Sequence, residues 1–384
     1  MDSLEQRYLT ELRRELHRAA EPSGGEAETA ARLVSELETL APDALVEHLG
    51  GYGVAAAFDA VEDGPTVLLR ADMDALPIED GAVPAAHASR TGGVAHKCGH
   101  DGHMAIAVGV ARSIARRKPQ RGRFVVLFQP AEETGRGAAA VISDPAFARL
   151  RPDIALAAHN LPGHELGRVV LRAGVFACAS RGLSIELAGA TAHAAEPQRG
   201  RSPALAVSQI VAAWTGARQL FTALDESVQA TVIHAAVGRP AFGTSPGDGR
   251  VMATLRAASN EAIDALDARL RHVAERIADA WELDRSFSVD EPFPATVNHP
   301  EVVTLLVDTA RALNFKVTEP DRPFAWSEDF GHFGDVCPSA LVGLGAGGNV
   351  PALHHPSYDF PDALIPYGAA LLEAAVRGWL DRRG

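Results

Sequence analysis

Short apolar runs and amphipathic stretches alternate over the first and last parts of the chain. Apolar side chains recur with the helical period in residues 4–18 and 26–40, and again from Asp101 to about Arg117, where Asp101 is expected to cap the helix. Uninterrupted apolar runs predict four buried strands, at residues 66–72, 123–129, 153–159 and 340–345. Strands that alternate with helices predict an α/β domain with a mainly parallel sheet.

The middle of the chain has a different pattern. Alternation of apolar and polar residues predicts half-buried strands at residues 181–189, 227–237, 249–257 and 285–293. Long amphipathic patterns predict helices at residues 202–220 and 261–281. This β-α-β-β-α-β order is typical of a ferredoxin-like α+β domain. We therefore expect one domain of residues 1–178 plus 293–384, and a second domain, residues 179–292, inserted into it.

Polar residues follow each of the four apolar strands. They are residues 72–74 after the first strand, Glu132 and Glu133 after the second, His159 at the end of the third, and His354 beyond a glycine-rich loop after the fourth. Sites in open α/β sheets form outside the carboxyl ends of the strands. These residues are therefore expected to meet in one crevice.

The densest group of metal-ligating side chains is HKCGHDGH at residues 96–103. Cys98 and His100 are two residues apart, so both can turn toward one ion from a loop or extended segment. Thiolate, imidazole and carboxylate are the ligands of a catalytic zinc- or manganese-class ion. The predicted ligands are Cys98, His100, Glu133, His159 and His354. In the alternative without a metal, Cys98 is a nucleophile paired with His100 or His103.

The adjacent pair Glu132-Glu133 is expected to divide two roles. Two neighbouring residues beyond a strand cannot easily reach the same ion, so one carboxylate can bind metal while the other acts as a base. Amide hydrolysis needs such a base near a water activated by the metal. Asp74 is expected to orient a ligand or hold a loop.

Histidines outside the ligand set are interpreted as structural. His96, His103 and His355 lie near the site in sequence but compete with better-placed ligands. His17 and His87 are expected at the surface or in loops. His193 lies among small residues of the inserted domain, and its local sequence favours a structural role.

Composition narrows the class of protein. The net charge of −13 over 384 residues disfavours nucleic acid and anionic membranes as partners. We find no apolar run long enough to cross a membrane and no signal-like segment at the N-terminus. Three widely spaced cysteines argue against a disulfide framework, and a reduced cytoplasm is the expected location.

The motifs together resemble the N-acyl-amino-acid amidohydrolases of the dinuclear aminoacylase/carboxypeptidase superfamily. This branch contains hippurate hydrolases and hydrolases of indole-acetyl-amino-acid conjugates. The markers are ELHR (15–18), LRADMDALPI (69–78), HKCGHDGHMA (96–105), FQPAEETGRGA (128–138), AAHNLPG (157–163), GATAHAAEPQRGRSP (189–203), SEDF (327–330) and LHHPSYDF (353–360).

The resemblance implies roles for individual residues. The five predicted ligands would hold two divalent ions per chain, with manganese expected and zinc, cobalt or nickel also suited to the ligand set. Glu132 falls on the general base, with Asp74 and Asp101 supporting the ligands. His193 falls on a histidine that the inserted lid domain supplies to the partner's active site, which implies a homodimer. Arg256 falls near the position of the substrate carboxylate.

Two stretches depart from the family pattern. Residues 243–246, Gly-Thr-Ser-Pro, replace an asparagine-containing turn of the lid. After ELHR the chain has AAEPSGGE instead of an early Pro-Glu, a difference that we expect to be peripheral. Asp72 stands where other branches carry a metal-binding histidine, which fits the branch in which Cys98 compensates.

The expected activity is hydrolysis of N-acyl amino acids or related conjugates to a carboxylic acid and an amino acid. Alternatives on the same scaffold are a dipeptidase and an aryl-amine or amidine hydrolase. From other classes, a metal-free cysteine hydrolase and an inactive metal-binding protein remain open.

Overall fold

A computed structural model describes residues 1–81, 83–84, 86–222 and 227–382. The chain divides into two compact units. The first comprises Met1–Phe176, Thr296–Arg322 and Asp329–Gly384, and the second Ala177–Ala295 and Pro323–Glu328. The predicted insertion of residues 179–292 lies inside the second unit, but the short segment 323–328, which the sequence places in the first domain, also belongs there.

The helices and strands are numbered in chain order. The α-helices are α1 (Ser3–Arg18), α2 (Ala27–Glu38), α3 (His100–Arg116), α4 (Gly137–Ser143), α5 (Ala204–Thr215), α6 (Ala217–Phe221), α7 (Asn260–Ala280), α8 (Pro300–Ala312) and α9 (Ile365–Leu380). The strands are β1 (Ala44–Leu49), β2 (Gly53–Asp59), β3 (Glu62–Asp72), β4 (Arg121–Gln129), β5 (Ile154–Pro162), β6 (Val169–Val170), β7 (Gly174–Ala177), β8 (Ala179–Ala188), β9 (Ala192–His193), β10 (Val228–Val237), β11 (Thr244–Ser245), β12 (Asp248–Ala257), β13 (Asp284–Phe293), β14 (Thr296–Asn298), β15 (Val317–Thr318) and β16 (Ser339–Gly347).

The first unit is built on a mixed sheet in the order β1-β2-β4-β3-β5-β16-β6-β15. Its centre, β4-β3-β5-β16, is parallel, with Leu69 of β3 opposite Val126 of β4 and Leu156 of β5. The four predicted apolar strands are these central strands. They read as continuous apolar runs because their side chains are buried nearly throughout.

The chain order reverses at β3, since β4 lies on one side of it and β5 on the other. A crevice for a ligand forms where such a reversal occurs, at the carboxyl ends of the strands. Helix α3 connects β3 to β4 and packs against α1 and α9. It is buried along nearly its whole length, and it begins within the cysteine-histidine motif, at His100.

The second unit contains the antiparallel sheet β10-β12-β8-β13, with α5 and α7 packed on it. This strand order, with helices after the first and third strands, is the predicted ferredoxin-like arrangement. The predicted single helix at 202–220 is wrong, because Gly216 separates α5 from α6. Glycine is a poor helix former, and its loss of backbone entropy favours a break there.

Within the described ranges, no helix is both long and apolar enough to cross a membrane.

Candidate metal centre

His100 is the first residue of α3, and the backbone on either side orients its ring. Gly99 precedes it with φ of 92°, a conformation that favours glycine. A Cβ at Gly99 would also lie 2.4 Å from Oδ1 of Asn160. Nδ1 of His100 lies 2.9 Å from the carbonyl oxygen of Asp74, so Nδ1 donates there and the Nε2 lone pair is left for a ligand.

Cys98 and His159 face each other from the motif and from β5. The Cys98 Sγ and His159 Nε2 atoms are 3.5 Å apart, and both side chains are buried. Nδ1 of His159 donates to the carbonyl oxygen of Asn160 at 2.9 Å. Both histidines therefore turn Nε2 toward the same site.

Glu132 and Glu133 lie in a short 3₁₀ turn, Glu132–Thr134, just beyond β4. The N–H of Glu133 donates to Oδ2 of Asp74 at 3.0 Å. Nε2 of His100 lies 3.9 Å from Glu132 Oε2 and 3.8 Å from Glu133 Oε1. Both carboxylates therefore lie within 4 Å of the imidazole of His100.

His354 completes the group from the loop that follows β16. Its φ of 63° is unusual for a residue other than glycine, and its N–H donates to the carbonyl oxygen of Lys97 at 2.9 Å. Its Nε2 lies 3.8 Å from Oε2 of Glu133. The side chain is 52% exposed, so the site opens to solvent at this residue.

The donor set fits divalent metal ions. The ligand atoms of Cys98, His100 and His159 lie within 4.8 Å of one another, and so do those of Cys98, Glu133 and His354. Ligands about 2.0–2.3 Å from a tetrahedral ion are themselves roughly 3.3–3.8 Å apart, close to these separations. Nε2 of His100 and Oε1 of Glu133 are buried without a hydrogen-bond partner, a cost that a bound cation would remove.

The electrostatics favour a cation as well. Burial by itself would lower the pKa of His100, but the carboxylates of Asp72 and Asp74 outweigh it and raise that pKa to about 10. Burial raises the pKa of Glu133 to about 8; attraction to His100 opposes this, and Asp74 repels the charged form. The crevice therefore concentrates acidic groups that a divalent cation would balance.

Asp72 belongs to a buried network that the sequence did not predict. Its carboxylate accepts hydrogen bonds from Nδ1 of His103 (2.7 Å) and from the Arg70 guanidinium (2.6 Å). Arg70 also donates to Gln129 and Asp329, each at 2.9 Å. The one available signal was an arginine inside an apolar strand, since a buried charge needs partners.

Asp101 does not cap α3 as predicted. The helix begins one residue earlier, after Gly99, and Asp101 accepts hydrogen bonds from Arg13 (3.2 Å) and Nδ1 of His17 (2.7 Å) on α1. The prediction that His17 lies at the surface or in a loop is also wrong, because His17 is buried on α1. His87 lies in a loop, as predicted, although its side chain is buried.

The loop of residues 21–26 is not peripheral, contrary to the expectation for AAEPSGGE. The Ser23 hydroxyl donates to Oδ2 of Asp74 at 2.5 Å. Glu26 is fully buried and accepts the N–H of Ala131, the residue before Glu132, at 2.9 Å. This loop therefore contacts two segments that carry predicted site residues.

His193 and Arg256 belong to the second unit. His193 is exposed on β9, and its Nδ1 accepts the N–H of Ala195 at 3.1 Å, so a neutral ring carries its proton on Nε2. Its strand pairs with β11, which places Thr244 of the unusual Gly-Thr-Ser-Pro turn opposite His193. Arg256 donates to the carbonyl oxygen of Ala325 and to the Ser327 hydroxyl, at 2.8 and 3.2 Å.

The chain matches a family model over most of its length. The model of peptidase family M20/M25/M40 covers residues 68–378. An N-acetyl-L-cysteine deacetylase of Bacillus subtilis is 30% identical over 98% of this chain and 89% of its own length. The IAA-amino acid hydrolase ILR1-like 2 of Arabidopsis thaliana is 30% identical over 95% of this chain and 83% of its own.

A solved structure shows the same fold. The Bacillus subtilis YXEP protein, described as a dinuclear metal binding peptidase from the M20 family, superposes with a TM-score of 0.83. The superposition covers 99% of each chain, and the two sequences are 24% identical.

Proposed function

The chain belongs to peptidase family M20/M25/M40, and from this premise we propose that it is a metal-dependent amidohydrolase. Its substrates are N-acyl amino acids or related conjugates, and its products are a carboxylic acid and a free amino acid. The relatives named above support this substrate class, since one is a deacetylase of an N-acetyl amino acid and another a hydrolase of amino-acid conjugates.

One observation carries the proposal. Two adjacent carboxylates lie beside His100, and one of them, Glu133, also approaches Cys98 and His354. Glu133 is thereby suited to bind metal, while Glu132 remains available as a base. Amide hydrolysis needs this combination of a cation site and an adjacent proton acceptor.

Two divalent ions, with manganese as the proposed metal, would be held by Cys98, His100, Glu133, His159 and His354. When bound, such ions polarise a scissile carbonyl and lower the pKa of water. Asp74 orients His100 and the backbone of Glu133, and Asp72 fixes His103 behind them.

Glu132 moves the proton in this proposal. Its carboxylate takes a proton from the attacking water and returns it to the nitrogen of the leaving amine. The side chain is 5% exposed, and its Oε2 lies 3.9 Å from Nε2 of His100.

His193 stabilises the oxyanion, and Arg256 binds the substrate carboxylate. The Nε2–H of His193 is the kind of donor that an oxyanion requires. We assign this donor to the active site of a second subunit, so the functional form is a homodimer. None of the three cysteines forms a disulfide in the described structure, which agrees with a reducing compartment, and we propose the cytoplasm.

A substrate panel tests the activity. Acetyl-, benzoyl- and indoleacetyl-amino acids are incubated with the purified protein, and the free amino acid is measured. Hydrolysis should stop after prolonged chelation and return when Mn²⁺ or another divalent ion is added. Full turnover by protein shown to be metal-free by elemental analysis would contradict the proposal.

The contact between Cys98 Sγ and His159 Nε2 favours one second candidate, a thiolate-imidazole pair in a metal-free hydrolase. The two candidates differ in two measurements. Only the metal-free hydrolase would survive chelation and would lose activity to iodoacetamide in the chelated state.

A further inference from the structure

Asp74 joins two predicted ligands, and the loop of residues 21–26 holds it in place. Oδ2 of Asp74 accepts both the N–H of Glu133 (3.0 Å) and the hydroxyl of Ser23 (2.5 Å). Oδ1 lies 3.4 Å from Nδ1 of His100. The position of one buried carboxylate therefore affects His100 and Glu133 together, and Ser23 is a side chain that fixes it.

Glu26 holds the neighbouring backbone. Its Oε1 accepts the N–H of Gly24 and the N–H of Ala131, both at 2.9 Å, and the side chain is fully buried. Ala131 has φ of 54°, which is unfavourable for a residue with a Cβ. The hydrogen bond that Ala131 donates to Glu26 stabilises this conformation and so fixes the position of the next residue, Glu132.

The loop can hold these groups because Glu21, at its start, is bonded to two other segments. The carbonyl oxygen of Glu21 accepts the N–H of Ala75 at 2.8 Å. The carboxylate of Glu21 accepts the N–H groups of Glu28 (3.1 Å) and Thr29 (2.8 Å) in the first turn of α2. A loop that is hydrogen-bonded both to Ala75, just after β3, and to α2 is rigid enough to position a side chain.

We propose that Ser23 and Glu26 are positioning residues of the active site. Ser23 fixes the positions of the metal ligands through Asp74, and Glu26 fixes the position of Glu132 through Ala131. The role assigned to Glu26 rests on the proposed function, whereas the role assigned to Ser23 concerns only metal binding by this chain. The two residues act on different neighbours and so predict different defects.

Ser23→Ala is tested by metal affinity. Binding of Zn²⁺ and Mn²⁺ to the full chain is measured by competition with a chromophoric chelator. Affinity should fall by about 10–100-fold, the usual effect of removing a hydrogen bond that orients a ligand. Ser35→Ala is the matched control, because Ser35 is exposed on α2 and bonds only within that helix in the described structure. Wild-type affinity in Ser23→Ala would overturn the assignment.

Glu26→Ala and Glu26→Gln are compared by steady-state kinetics. Glu26→Ala should lower kcat by about 10–100-fold with KM and metal content nearly unchanged, because a small displacement of a catalytic group costs this much. Glu26→Gln keeps an acceptor for Ala131 and should restore kcat to within a few-fold of wild type. Glu28→Ala, an exposed position two residues away, is the control.

Equal impairment of Glu26→Gln and Glu26→Ala, or wild-type kcat in Glu26→Ala, would overturn the role of Glu26. If Glu26→Ala does not fold, Glu26→Asp replaces it, since the shorter side chain withdraws the acceptor; it should lower kcat with metals retained, and an unchanged kcat would refute the role. If the wild-type protein hydrolyses no N-acyl amino acid, the proposed function and the Glu26 part both fail. The metal affinity of Ser23→Ala still decides the Ser23 part.

Discussion

Glu132 and Glu133 are neighbours in sequence with different surroundings. Glu133 meets Cys98, His354 and His100, and its backbone is fixed by Asp74. Glu132 lies close to His100 and Glu133. The two carboxylates therefore have unequal surroundings, which supports the proposed division between a ligand and a base.

Glu132→Gln should preserve the fold and the bound metals while kcat falls. General acid–base participation is typically worth ~10²–10⁴-fold, and the amide cannot accept the proton. The measurements are kcat on the best substrate of the panel and metal content by elemental analysis. Glu133→Gln is the comparison and should lose metal. If Glu132→Gln instead loses metal and Glu133→Gln keeps it, the two roles are reversed.

At the scale of elements, α1 is attached to the start of α3 through charged side chains. Asp101 accepts hydrogen bonds from Arg13 and His17, and His17 also bonds Asp80. Burial and the charge of Arg13 would lower the pKa of His17, but Asp101 and Asp80 outweigh them and raise it to about 9. His17 is therefore charged in the folded protein over most of the neutral range.

This raised pKa predicts how stability depends on pH. The ordinary pKa of histidine is about 6.5. The contribution of His17 is therefore fully present below pH 6.5 and is lost as pH rises through about 9. The difference corresponds to roughly 3 kcal/mol, at ~1.4 kcal/mol per unit of pKa.

Urea unfolding of metal-saturated protein at pH 6, 7.5 and 9 measures this dependence. His17→Gln should be less stable at pH 6 and should show a smaller decline toward pH 9. Exposed His272 on α7 provides the control, His272→Gln, which should follow the wild type. Parallel pH profiles for wild type and His17→Gln would contradict the assigned protonation state.

The sequence predicts strands well where all side chains are buried, and it predicts burial poorly where the contacting residue is distant in sequence. The central strands follow from their apolar runs alone. Strands β1 and β2 were not predicted, and β2 has three consecutive alanines that give little strand signal. The burial of His17 could not be foreseen, because its partner Asp101 lies 84 residues away and α1 reads as an ordinary amphipathic helix.

In the candidate site, too, local features could be predicted from the sequence and remote contacts could not. Ligand types and strand ends predict the group around Cys98, since both are readable locally. The supporting contacts of Ser23, Glu26 and Arg70 are hydrogen bonds across long sequence separations. The apolar strand around Arg70 indicates that it needs partners but not which ones, and no local pattern marks Ser23 or Glu26. A serine or glutamate in a polar turn looks the same whether it is solvated or buried against an active site.

At the scale of the whole molecule, the proposed dimer predicts complementation between inactive variants. His193→Ala should lower kcat by about 10²–10³-fold with metals retained, as for loss of an oxyanion donor. Mixing it with Glu132→Gln should recover activity, because one site of each mixed dimer holds both residues. The assay is turnover after subunit exchange, demonstrated by mass-tagged chains. Exchange without recovery would rule out action in trans, and a fully active His193→Ala protein would return His193 to a structural role.

The position of β16 has a consequence during synthesis. This strand lies between β5 and β6, yet the ribosome adds about 180 residues between Pro162 and Ser339. At ~5–20 residues per second, the interval lasts roughly 10–35 s. During that time β5 has an apolar edge with no neighbour on one side, and His354 has not yet been made. The nascent chain is therefore open to wrong pairing through this edge, and the proposed metal site can be completed only after His354 has been made.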